Sequence, residues 1–74
     1  MWTKGTITVG KTTFKYWVKH YSEGSQYGID EGRISKLTIK QGDITVYNYD
    51  RGLDIAPSSK EATEAYKAIL NSFN

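Results

Sequence analysis

The chain has no cysteine, one histidine, one proline and one methionine in 74 residues. Without cysteine there is no disulfide framework, and a lone histidine without thiols excludes an ordinary structural zinc site. A chain this short buries only about 60% of its unfolded surface, so packing alone must hold it together. No run of about 18 apolar residues occurs, and the opening MWTKGTITVG lacks the layout of a signal peptide. A cytoplasmic location away from membranes is therefore expected. There is no nucleophile elbow, phosphate-binding glycine loop or dinucleotide fingerprint. Linkers, repeats and low-complexity segments are also missing, so residues 1–74 read as one domain. No enzymatic activity, cofactor or metal is expected.

What the chain does have is an uneven charge. The net value is +2, yet residues 1–20 carry Lys4, Lys11, Lys15 and Lys19 with no acidic residue. The remaining residues hold six basic and eight acidic groups, a local −2. The basic segment either favours an anionic partner or guards a sheet edge against association.

Alternation identifies the first hairpin. Trp2 to Val9 and Thr12 to Tyr21 flank Gly10-Lys11, a two-residue turn with glycine first. That turn sets Val9 against Thr12, Ile7 against Phe14, Gly5 against Tyr16 and Thr3 against Val18. Ile7, Val9, Phe14, Tyr16 and Val18 then form a core face. The other face pairs Lys4 with Trp17, Trp2 with Lys19 and Thr6 with Lys15. A one-residue slip would exchange the two faces.

Residues 22–32 read as a connection. A second hairpin turning at Gln41-Gly42 would set Lys40 against Asp43, Ile39 against Ile44, Leu37 against Val46, Ser35 against Asn48 and Arg33 against Asp50. Its opposite face would hold Thr38 with Thr45, Lys36 with Tyr47 and Ile34 with Tyr49. Ser58 followed by Glu61 forms a capping box after Pro57. Ala62, Ala65, Tyr66, Ile69, Leu70 and Phe73 then make one apolar helical stripe. The expected fold class is α+β: an antiparallel sheet of about four strands, in two hairpins, with one C-terminal helix on one face. The open face is expected to carry Trp2 and Trp17, or Ile34, Tyr47 and Tyr49, or both sets.

Two groups of residues are candidates for a site. Trp2, Lys4, Lys15, Trp17 and Lys19, with Tyr47 and Tyr49, form an aromatic and basic surface. It suits a protein partner or a second copy of the chain first, and nucleic acid second, through base stacking and phosphate contacts. Lysine stems lying over the indoles are the structural alternative. Asp30, Arg33, Asp50, Arg51 and Asp54 form a polar cluster if Arg33 pairs with Asp50. Converging carboxylates can hold a cation or act in acid–base chemistry, but two arginines oppose a cation, and a salt-bridge network closing the sheet end fits as well. His20, on the core side near a strand end, has no nucleophile or carboxylate marked beside it and reads as structural.

The segments YGIDEGRISKL (27–37) and YDRGLD (49–54) resemble those of a family of small proteins of unknown function from Gram-positive bacteria and their phages. The resemblance covers roughly residues 27–73. Leu53 stands where the family pattern has an aromatic residue. The resemblance implies a bacterial or prophage origin and, by analogy with small phage proteins, action by binding a host component. It assigns no activity and transfers no site residues.

Overall fold

Glycine at the first central position turns both hairpins. A computed structural model describes residues 1–74. The strands are β1 (Trp2–Val9), β2 (Thr12–His20), β3 (Ile34–Gln41), β4 (Ile44–Asp50) and β5 (Leu53–Ile55), followed by helix α1 (Lys60–Phe73). The sheet is wholly antiparallel in the order β1-β2-β3-β4-β5. This is the expected α+β class, with a short fifth strand added to the four expected. That strand follows a turn at Arg51, which takes φ +58°.

The first hairpin has the expected register at every pair, from Val9–Thr12 at the turn to Trp2–Lys19 at the far end. Gly10 supplies the left-handed φ of +61° that this turn demands. The second hairpin differs. It turns at Gly42-Asp43, with Gln41 opposite Ile44 and Gly42 at φ +60°. A turn at Gln41-Gly42 would need positive φ at Gln41 as well. Moving the bend by one residue leaves only glycine in that region.

A bulge then corrects the faces. Lys40 pairs with Thr45 but Ile39 pairs with Tyr47, so Val46 is the extra residue on β4. From there Leu37 opposes Tyr49 and Lys36 opposes Asp50, replacing the expected Leu37–Val46 and Arg33–Asp50 pairs. Without the bulge Tyr47 and Tyr49 would face outward. With it Tyr47 is 2% exposed, whereas Ile44, expected opposite Ile39, is 68% exposed beside the turn. A second irregularity, between Lys19–Lys36 and His20–Ile34, leaves Ser35 as the extra residue and turns Ile34 fully inward.

Helix α1 covers the resulting apolar face. Ala62, Ala65 and Ile69 join Phe14, Val18, Ile29, Ile34, Leu37, Ile39 and Tyr47 in one cluster, with Tyr66, Leu70 and Phe73 packed at its margin. Each large side chain fully buried there contributes about 1.5–3 kcal/mol. The helix N-cap is Ser59, one residue later than expected, and its hydroxyl oxygen accepts from the Ala62 N–H at 3.0 Å. Adjacent serines carry the same acceptor, so the pattern alone does not separate them. At the other end Asn74 ties the helix to the connection. Its Oδ1 accepts from the Ile34 N–H and its Nδ2 donates to the Ile29 carbonyl, both at 3.0 Å. A β-carbon at Gly32 would overlap the Asn74 amide, so a larger residue there would have to displace that amide from its two hydrogen bonds.

Tyr47 and Tyr66 pack with ring centroids 4.6 Å apart. Burial, foremost, raises the pKa of both hydroxyls, and the neighbouring Tyr66 raises that of Tyr47 further. The folded chain therefore holds these protons more tightly than the unfolded chain. Below the ordinary tyrosine value of about 10 the stabilisation is complete, and it is lost as pH rises above it. The denaturation midpoint should fall above about pH 10, and fall less steeply in Tyr47→Phe. An equal slope in both proteins would contradict the assignment. The register has its own test: Ile39→Ala should cost about 2–5 kcal/mol and Ile44→Ala less than about 0.5 kcal/mol in equilibrium unfolding.

Candidate functional site

The strand pairings arrange the helix-free face of the sheet in rows. One row runs Thr6, Lys15, Lys40, Thr45 across β1 to β4. The next runs Lys4, Trp17, Thr38, Asn48, and the third Trp2, Lys19, Lys36, Asp50. Trp17 thus stands between two lysine pairs, Lys15–Lys40 and Lys19–Lys36, each about 7 Å away along the strands at two residues per row. Like charges directly opposite one another disfavour a sheet unless solvent or an anion screens them.

One carboxylate enters these rows. Asp50 lies 3.5 Å from Lys36 Nζ, and this is the single ion pair in the structure. Lys4, Lys15, Lys19 and Lys40 have no acidic partner. Lys40 Nζ is 5.9 Å from the Trp17 ring centroid, and Lys19 Nζ is 6.0 Å from Trp2 and 5.7 Å from Tyr21. Such contacts contribute about 0.5–1 kcal/mol at exposed sites. The pKa of Tyr21 is lowered, first by hydrogen bonding with Lys19 and also by its charge, against an opposing effect of burial.

Trp17 forms a wall of two grooves. One, of about 430 Å³, lies between Trp2, Trp17, Thr38 and Lys40. The other, of about 320 Å³, lies between Trp17, Lys4, Gly5, Thr6 and Lys15. Thr38 Oγ1 donates to Asn48 Oδ1 at 2.8 Å and Asn48 Nδ2 donates to Asp54 at 3.0 Å, closing the β5 side with polar groups.

Trp2, Lys4, Lys15, Trp17 and Lys19 therefore share one face, as expected. Tyr47 and Tyr49 do not belong with them. Both lie on the helix side, where Tyr49 donates to the Tyr27 carbonyl at 2.9 Å. Ile34 is likewise inward. Lys36, Lys40 and Tyr21 complete the surface, and their sequence signal was alternation read through the correct turn and bulges.

The polar cluster is dispersed. Asp50 pairs with Lys36, Arg33 Nε donates to the Asn74 carbonyl at 3.4 Å, and Asp54 accepts from Asn48. Arg51 sits in the β4–β5 turn, its N–H on the Ser35 carbonyl. Asp30, at φ +52° in a short 3-10 turn (Ile29–Glu31), borders a cup of about 250 Å³ with Tyr47, Tyr49, Leu53 and Tyr66. No three His, Cys, Asp or Glu side chains converge. His20 is half-buried, with Nε2 3.0 Å from Thr3 Oγ1 and its ring against Phe73 at 5.0 Å. No helix is long and apolar enough to cross a membrane.

No curated protein and no solved structure matches this chain. Over residues 1–74 it matches the family described as "Domain of unknown function (DUF7678)", so the match includes the first hairpin and its tryptophans along with the motif-bearing segments. The chain belongs to that family.

Proposed function

We propose that this chain is a non-catalytic binding module whose working surface is the open sheet face, and that it captures an anionic macromolecule. The observation that carries this is the facing of Lys15 with Lys40 and Lys19 with Lys36 around Trp17, with Asp50 the lone carboxylate in those rows. An arrangement that is unfavourable in isolation becomes favourable when an anion lies over it. Association of two copies through this face would set lysine rows against lysine rows, so charge complementarity favours a different, acidic partner. The carboxylates expected to converge hold separate contacts instead, Asp50 with Lys36 and Asp54 with Asn48. We place the protein in the cytoplasm of a bacterium or in a prophage, acting by binding a host component.

Polyphosphate is a suitable first probe. It should bind at about 50 mM salt, weaken steeply toward about 200 mM, and shift amide resonances of β2 and β3 while leaving those of α1 in place. Lys15→Gln with Lys40→Gln should weaken it several-fold. Lack of binding at low salt, or shifts centred on α1, would overturn the reading.

A further inference from the structure

We infer that the anion is single-stranded nucleic acid, with a base stacked on Trp17 and phosphates beside the Lys15–Lys40 and Lys19–Lys36 pairs. This rests on the anion-binding reading above and names its partner. The argument begins with what lysines alone cannot explain. A surface for any polyanion needs only charge, whereas here a tryptophan occupies the centre of the charged rows and walls two grooves. An indole set among ammonium groups offers a flat π-surface where the flanking charges hold a backbone.

The spacing suits a strand running along β2. The lysine pairs lie about 7 Å to either side of the Trp17 row, about 14 Å apart in all, which leaves room between them for a base. A second stacking surface is at hand: Trp2 is 56% exposed and Tyr21 46%, one on each side of Lys19. Between Trp17 and the β5 edge lie the half-buried Thr38 hydroxyl and Asn48 amide, bonded to each other and to Asp54, so only their remaining hydrogen-bonding capacity is open to a base edge.

Single strands are favoured over duplexes because the face is a sheet surface without a helix or ribbon to enter a groove. Stacking on Trp17 further requires an unstacked base. An acidic protein surface would neutralise the lysines but presents a planar ring only where an aromatic residue stands, whereas a single strand presents one at every nucleotide, so the tryptophan among the lysines favours the strand.

The test compares an oligothymidylate of about eight nucleotides with polyphosphate of equal charge, an oligoglutamate peptide and a DNA duplex, each titrated into the full chain. The oligothymidylate should quench tryptophan fluorescence and bind at least about tenfold more tightly than the other three. Its affinity should fall with salt at a logarithmic slope of about −3, as expected for four or five phosphates contacted. Trp17→Ala should lose about tenfold or more for the oligothymidylate and far less for polyphosphate, and Trp17→Phe should retain most of the affinity. Should Trp17→Ala fail to fold, Trp17→Phe, Trp2→Ala and the four-ligand comparison still decide. Equal binding of polyphosphate or oligoglutamate, or no loss in the tryptophan variants, overturns this inference and leaves anion capture standing. Failure of every anion overturns both.

Discussion

A single helix can cover only one face of a sheet, and that limit governs the rest of this molecule. With no disulfide and 74 residues, all large apolar groups must reach one shared layer. Helix α1 supplies Ala62, Ala65 and Ile69 to that layer, and the strands supply Phe14, Val18, Leu37 and Ile39 by simple alternation. Tyr47 and Ile34 reach it because the ladder is broken by one extra residue in each case, Val46 on β4 and Ser35 on β3. The bulges cost ladder regularity and gain burial of large side chains.

The same limit determines what the other face can be. Once the apolar residues are drawn under the helix, the open side keeps what remains: lysines, threonines, Asn48, Asp50 and two tryptophans. Threonines pair with each other where they meet, as Thr8 does with Thr13 at 3.0 Å. Lysines do not, and their repulsion across β2 and β3 is left to solvent or a ligand. The tryptophans are exceptions to the sorting, as are Ile44 and Leu53 near the turns. Placing Trp2 outside, more than half exposed, forfeits the burial that a residue of this size otherwise provides; under the proposed function an anionic ligand covers it.

Much of this was legible in the residues. Gly10-Lys11 can bend in one comfortable way, and all eight pairs of the first hairpin follow from it. The helical stripe was equally plain, since apolar residues at helical spacing have one face to bury. The second hairpin was harder. Gln41-Gly42 and Gly42-Asp43 are neighbouring candidates, and opposite-charge pairs such as Lys40 with Asp43 favoured the wrong one. Charge at a solvent-exposed turn is a weak guide, because such pairs contribute little. The positive φ at Gly42 and the inward burial of Tyr47 outweigh it.

For the site, the local order of residues determined the tryptophan and lysine surface of the first hairpin, because strand alternation is a property of neighbours along the chain. Only the tertiary structure decided that Lys36 and Lys40 join it, that Tyr47 and Tyr49 leave it, and that Arg33, Asp50 and Asp54 take separate partners. The reason is that a bulge has no local cause. It forms where helix and sheet, distant in sequence, together bury more than an unbroken ladder would, and one inserted residue then reverses every side chain beyond it.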